Sequence, residues 1–230
     1  MSELRPDPAI TADHDPVTVY PDGVEPSDGR PRVVIVHGYN GYPAKHWFPW
    51  LSAELVAAGY PVTRVALPKP TRPHPVAWAD ALAEQVGSLD GAVVVAHSLG
   101  CFTTLRHLAA HPDQTVAGIV FVAGFDQKGS ELVRGFADER EALSQLDPFI
   151  GEGVDTPALV PQLGEVTVIM SDDDPIVPNV FSESMAERLG VEPIVVEGAK
   201  HFLYGNGITE VPAARDAALT VLRTVEQKGR

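Results

Sequence analysis

The stretch Val93-Val94-Val95-Ala96-His97-Ser98-Leu99-Gly100-Cys101 decides the fold of this chain. Its β-branched run predicts a buried strand, and the apolar spacing that follows predicts a helix starting directly after Ser98. Such a strand-to-helix turn crowds the backbone, so the residues two before and two after the serine must be small. Ala96 and Gly100 meet that need, although glycine is usual at the first position. The pattern indicates a nucleophile elbow that aims the Ser98 hydroxyl at a pocket, rather than an ordinary turn.

Strands and helices alternate along the rest of the chain. The predicted strands are 32–36, 61–65, 92–96, 116–122, 166–170 and 193–196, and the predicted helices are 47–59, 76–86, 99–111, 137–146, 180–189 and 211–225. This alternation predicts an α/β fold, a three-layer α/β/α sandwich around a mostly parallel sheet. Residues 31–230 are predicted to form a single domain. Residues 1–30, rich in Pro, Asp and Gly, are expected to be a largely irregular extension with a possible short strand at 17–20.

Charge and composition exclude several classes of partner. The formal net charge of −14 repels phosphate backbones and anionic membranes, so we expect neither nucleic acid nor a membrane as a partner. The start of the chain lacks the apolar stretch of a signal peptide, which predicts a cytoplasmic protein. The single cysteine, Cys101, cannot form a disulfide within the chain and is expected to be a small core residue.

A reactive serine needs a base to take its proton and a third group to orient that base. In a parallel sheet these groups gather after the carboxyl ends of strands, in the order serine, acid, histidine. The predicted strand 166–170 runs into three aspartates, Asp172–Asp174, and the strand 193–196 runs into a loop that holds His201. His201 is therefore the candidate base. One or two of the aspartates are expected to form a solvated acidic turn, because adjacent like charges repel.

Backbone N–H groups near the serine are candidates for an oxyanion hole. The N–H of Leu99 opens the predicted helix, where partial positive charge meets a developing anion. The loop after the first core strand should supply the second donor, with the Tyr39 N–H as first choice and the Asn40 N–H as second. His37 is expected to shape that loop. The side chain of His97 is expected to diverge from the neighbouring serine.

The chain resembles the α/β-hydrolase superfamily over residues 32–227, and within it the small serine hydrolases of the retinoblastoma-binding protein 9 type. The matching pieces are the glycine loop followed by Trp47 and Trp50, His97-Ser98-x-Gly100, Asp173-Asp174-Pro175-x-x-Pro178 and Lys200-His201-Phe202. The resemblance implies Ser98 as nucleophile, His201 as base, and Asp174 as acid, because the acid of that family directly precedes the proline. It implies a carboxylesterase-like serine hydrolase that acts on small esters through an acyl-enzyme. The alternative is a protein-interaction module with a hydrolase fold and little turnover.

The segment between Ala123 and Val166, where such folds place a lid, is short here. A short lid favours an open or modest pocket and small acyl groups rather than long-chain lipids. Phe125, Phe136 and Phe149 either line that pocket or belong to the core, and the sequence leaves both interpretations open. No cofactor and no metal are expected, since no second ligand cluster accompanies the aspartates. A lyase or cofactor-free haloperoxidase reaction on the same residues is a further enzyme alternative.

Overall fold

The computed structural model describes residues 15–23, 30–127, 146 and 149–228 of the chain. The strands are β1 (Val17–Val19), β2 (Val33–Val36), β3 (Val62–Arg64), β4 (Val93–His97), β5 (Gly118–Val122), β6 (Glu165–Ser171) and β7 (Ile194–Val196). The helices are α1 (Phe48–Ala57), α2 (Pro75–Val86), α3 (Leu99–Ala110), α4 (Thr156–Leu159), α5 (Asn179–Leu189) and α6 (Pro212–Lys228).

Within the described residues, seven strands form one sheet in the order β1-β3-β2-β4-β5-β6-β7. All neighbouring pairs from β3 to β7 are parallel, and β1 alone runs antiparallel, against β3. The possible strand predicted at 17–20 is therefore present, and it extends the sheet at the edge opposite β7. Because β4, β6 and β7 run in the same direction, the loops that follow them open at one edge of the sheet.

Helices cover both faces of the sheet, which confirms the predicted three-layer α/β/α class. Helices α1 and α6 pack on one face, and α2, α3 and α5 pack on the other. Successive residues of β2 alternate between the two cores: Val33 and Ile35 join the first, and Val34 and Val36 join the second. The apolar runs of the sequence are continuous because strands in the middle of such a sheet are buried on both sides.

The predicted elements recur with bounds that shift by one or two residues at most ends, as expected where helices and strands fray. The short helix α4 was not predicted from the sequence. The predicted helix 137–146 lies outside the described residues, apart from Leu146, which is helical and buried. Among the residues that the structure describes, no helix is both long enough and apolar enough to cross a membrane.

Candidate active site

Ser98 occupies a sharp turn between β4 and α3, with φ of 53° and ψ of −124°. A non-glycine residue adopts this conformation only where its surroundings enforce it, and such strain is typical of functional sites. The turn is enforced by close packing of the start of α3 against the end of β2. A Cβ atom at Gly100 would lie 2.5 Å from the carbonyl oxygens of both Val36 and His37. Ala96, by contrast, is fully buried and its methyl group is accommodated. The elbow therefore tolerates alanine before the serine but requires glycine after it.

The structure brings Ser98, His201 and Asp174 into one hydrogen-bonded chain. The Ser98 Oγ lies 2.9 Å from His201 Nε2, and His201 Nδ1 lies 2.7 Å from Asp174 Oδ2. With the proton of a neutral imidazole on Nδ1, the histidine donates to the carboxylate and accepts from the serine hydroxyl. The side chains of His201 and Asp174 are 5% and 3% exposed. Their interactions are therefore little screened by water.

The Asp174 carboxylate is held from both sides. Its Oδ1 accepts the backbone N–H groups of Ile176 and Val177 at 2.8 and 2.9 Å, and its Oδ2 faces His201. Two N–H donors on one carboxylate oxygen fix the orientation of the carboxylate. This arrangement uses the turn that Pro175 begins, so the proline motif and the position of the acid have a common structural cause.

The other two aspartates bind the same histidine loop from outside. Asp172 Oδ1 accepts the Gly198 N–H at 2.7 Å. Asp173 accepts the Lys200 N–H at 2.9 Å and forms an ion pair with the Lys200 ammonium at 2.5 Å. The hydrogen bond from the Lys200 side chain lowers the pKa of Asp173 to about 2. The sequence predicts only a solvated acidic turn for these aspartates. In the structure, both carboxylates also anchor the loop that carries His201.

The loop after β2 packs directly against the serine turn. A Cβ atom at Gly38 would lie 2.9 Å from Ser98 Cβ and 3.1 Å from the Leu99 nitrogen. Leu99 is the first residue of α3, and the first N–H groups of a helix have no acceptor within the helix. The Asn40 N–H donates to the Pro70 carbonyl at 2.9 Å, so the second-choice donor is engaged elsewhere. The neighbouring Tyr39 N–H stays the candidate that partners Leu99.

His37 shapes this loop, as expected from its position. Its Nδ1 donates to the Gly38 carbonyl at 2.9 Å, and its Nε2 accepts the Leu67 N–H at 3.0 Å. Both ring nitrogens are thereby engaged in the neutral form of the imidazole. Complete burial lowers the pKa of His37 to about 4. The residue therefore acts as a neutral brace between two loops.

Two histidines that the sequence did not assign to the site lie beside it. His97 Nε2 bonds the backbone carbonyl of His201 at 3.0 Å, and the two rings lie 5.0 Å apart. His46 Nδ1 accepts the Tyr204 N–H at 3.0 Å, which ties the loop before α1 to the loop after His201. The alternation of side chains along β4 could have indicated the position of His97, since it places the imidazole on the same face of the sheet as Val93 and Val95. No spacing in the sequence indicates the His46 contact.

Two of the three aromatic residues considered for the pocket pack in the core. Phe125 is 4% exposed and packs against Phe102, and Phe149 is 1% exposed and packs against Trp78. Phe136 lies outside the described residues.

Cys101 is fully buried, which confirms it as a core residue, and burial raises the pKa of its thiol. Over the described parts of the chain, no group of three or more His, Cys, Asp or Glu residues is arranged to hold a metal ion.

The sheet, its helices and the serine turn define an α/β-hydrolase fold. Solved structures with low sequence identity share this fold: Est1E from Butyrivibrio proteoclasticus has a TM-score of 0.63 at 15% identity, covering 90% of this chain and 94% of that one. The esterase RhEst1 from Rhodococcus sp. ECU1013 has a TM-score of 0.59 at 20% identity, covering 89% and 97%. At these identities the likeness shows the fold alone.

The family follows from closer matches. A family model described as serine hydrolase matches residues 33–219, and the chain belongs to this family. YdeN of Bacillus subtilis (strain 168), provisionally named a hydrolase, is 33% identical over 187 residues, or 80% of this chain and 93% of YdeN. The crystal structure of the ydeN gene product has a TM-score of 0.74 at 31% identity, covering 84% of this chain and 99% of that one.

Proposed function

We propose that this protein hydrolyses small carboxylic esters through an acyl-enzyme, with Ser98 as nucleophile, His201 as base and Asp174 as orienting acid. The observation that carries the proposal is the chain of hydrogen bonds through these three side chains, at 2.9 and 2.7 Å. Membership of the serine hydrolase family supports it. The name of YdeN, provisionally a hydrolase and 33% identical, supports hydrolysis as the reaction class.

In the first step, His201 takes the Ser98 proton as the oxygen attacks the ester carbonyl. Asp174 holds the imidazole with its Nδ1 proton toward the carboxylate and stabilises the imidazolium that forms. The imidazolium then protonates the leaving alcohol, and an acyl-serine remains. In the second step, His201 activates a water molecule that releases the acid and restores the serine.

The N–H groups of Leu99 and Tyr39 are the proposed donors to the tetrahedral oxyanion. Removing one such donor in other serine hydrolases costs about 10²–10³ in kcat. The packing of Gly38 against Ser98 and Leu99 supports this pairing, since it holds the two backbone segments together at the serine. Ser98 is 5% exposed and His201 4% exposed, so both reacting groups are largely shielded from bulk water. The short segment between Ala123 and Val166 supports small acyl groups.

The experiment is a panel of p-nitrophenyl acetate, butyrate and octanoate hydrolysed by the wild-type protein and by Ser98→Ala. We expect hydrolysis that favours the short esters, and a loss of at least about 10³-fold in kcat for Ser98→Ala. Ser182→Ala is the matched control, because Ser182 is a buried serine whose hydroxyl donates to the Gly124 carbonyl rather than to a histidine. Wild-type activity in Ser98→Ala would overturn the proposal.

A closer kinship with the retinoblastoma-binding protein 9 type rests on the shared short motifs and is itself a proposal. This kinship supports an alternative function, that of a protein-interaction module with little turnover. The ester panel separates the two, because a folded wild-type protein that hydrolyses none of the esters favours the interaction module. A lyase or haloperoxidase reaction would instead require the same Ser98 and His201 while ester hydrolysis stayed weak.

A further inference from the structure

The loop that carries His201 has an unusual backbone. Lys200 and Phe202, which flank the histidine, have φ values of 52° and 55°, in the left-handed region that non-glycine residues rarely adopt. Each such residue costs free energy and persists only where neighbouring contacts hold it in place. The histidine loop is therefore not a relaxed turn, and its conformation needs an external cause.

Asp172 and Asp173 supply part of that cause from the solvent side, through the Gly198 and Lys200 N–H groups. The inner side is held by two aromatic N–H donors. His97 Nε2 donates to the His201 carbonyl at 3.0 Å, and Trp47 Nε1 donates to the Phe202 carbonyl at 3.1 Å. Both inner contacts are buried, so water does not compete with them.

The inner donors come from distant parts of the chain. His97 is the last residue of β4, directly before Ser98, and Trp47 directly precedes α1. The His97 contact spans 104 residues and the Trp47 contact 155. A hydrogen bond from the residue beside the nucleophile to the backbone of the base ties the two reacting groups to one rigid strand end.

The neutral state of His97 suits this task. A ring nitrogen that bonds a carbonyl must carry a proton, so Nε2 is the protonated nitrogen in the neutral ring. Burial, with added repulsion from His201 and His46, lowers the pKa of His97 well below its usual value. A neutral donor 5.0 Å from His201 does not oppose the positive charge that the base gains in the proposed reaction.

We propose that His97 is a positioning residue for the base: its hydrogen bond to the His201 carbonyl holds the imidazole at the right place and angle for the Ser98 hydroxyl. Trp47 supports the next residue of the loop in the same way. This inference rests on the proposed function, because it assigns to His97 a part in the work of Ser98 and His201. A displacement of about 1 Å in such a geometry can cost about 10²-fold in rate.

The test compares His97→Gln with His97→Asn. The glutamine amide reaches about as far as the histidine Nε2 and can donate to the same carbonyl, whereas asparagine is one methylene too short. We expect kcat per active site, counted by fluorophosphonate titration, to fall about 10- to 100-fold in His97→Asn with KM changed less than about threefold. His97→Gln is expected to recover most of that loss.

A second readout does not depend on turnover. Hydrogen–deuterium exchange of the peptide 198–204 is expected to speed up in His97→Asn and to stay near wild type in His97→Gln. Trp47→Phe removes the neighbouring donor while keeping an aromatic ring, and it is expected to raise the same exchange rate. Should His97→Asn fail to fold, the exchange rates of the peptide 198–204 are compared between Trp47→Phe and His97→Gln instead.

Wild-type kcat per active site in His97→Asn, or equal losses in both His97 variants, would overturn the positioning role. Unchanged exchange over 198–204 in His97→Asn and Trp47→Phe would overturn it as well. Failure of the proposed function looks different, since it removes ester turnover and fluorophosphonate labelling from the wild-type protein itself. In that event the exchange measurement still decides whether His97 holds the loop.

Discussion

Gly38→Ala places one methyl group between the loop after β2 and the serine turn. The new carbon would lie 2.8 Å from the His97 carbonyl oxygen, 2.9 Å from Ser98 Cβ and 3.1 Å from the Leu99 nitrogen. Carbon atoms in contact normally lie about 3.5–4.0 Å apart, so the loop must withdraw by roughly 0.5–1 Å. Overpacking of this kind costs about 1–3 kcal/mol of stability.

The same withdrawal separates the Tyr39 N–H from the Leu99 N–H, which are the proposed oxyanion donors. We expect kcat for a short p-nitrophenyl ester to fall about 10²–10³-fold, the cost of losing one donor, while KM changes little. Gly205→Ala is the matched control, because a Cβ there meets nothing within 4 Å. Urea denaturation gives the change in stability. Wild-type kcat and stability in Gly38→Ala would refute the close approach and the oxyanion pairing together.

Three further outcomes follow from the site. Asp174→Asn should lower kcat about 10³–10⁴-fold, because the amide no longer fixes the imidazole tautomer, whereas Asp173→Asn should cost less than about tenfold; equal effects would contradict the assignment of the acid. The free energy of unfolding should fall as pH drops from about 6.5 to about 4, because an unfolded His37 binds a proton there and the buried ring does not. In His37→Gln, the loss of unfolding free energy over that pH range, measured by urea denaturation, should be smaller by up to about 3 kcal/mol, and an unchanged loss would contradict this role of His37. Gly100→Ala should destabilise the protein by more than about 1 kcal/mol, although alanine favours helices, and a more stable variant would contradict the contact with β2.

The sequence was sufficient to predict the parallel sheet and to propose the candidate nucleophile, base and acid. The run Val93–Val95 is buried on both faces, and that environment is what makes a parallel strand continuous in apolar residues. Ser98 and His201 could be proposed because each lies in the turn or loop that follows a strand, and strand ends meet at one edge. Asp174 needed more than this, since Asp172 and Asp173 follow the same strand. The family resemblance selected Asp174 because it directly precedes Pro175, and only the structure shows the N–H groups of the following turn on the Asp174 carboxylate.

The parts that the sequence did not indicate are contacts through the backbone. The bond from His97 to the His201 carbonyl joins residues 104 positions apart, and a carbonyl has no signature in the sequence. The hydrogen bond from the Asn40 N–H to the Pro70 carbonyl could not be predicted for the same reason. The pairing of β1 with β3 depends on an exposed edge rather than on a buried apolar run, so its three residues indicated only a possible strand.

The reactivity of Ser98 is the central claim, and a fluorophosphonate probe tests it most directly, because it labels a serine activated by its surroundings. Intact-mass analysis followed by peptide mapping should find one adduct, on Ser98, in the folded wild-type protein. The adduct should be absent from Ser98→Ala, and in His201→Gln it should form at least about 10²-fold more slowly. No adduct on the wild-type protein, an adduct on another serine, or an unchanged rate in His201→Gln would contradict the account.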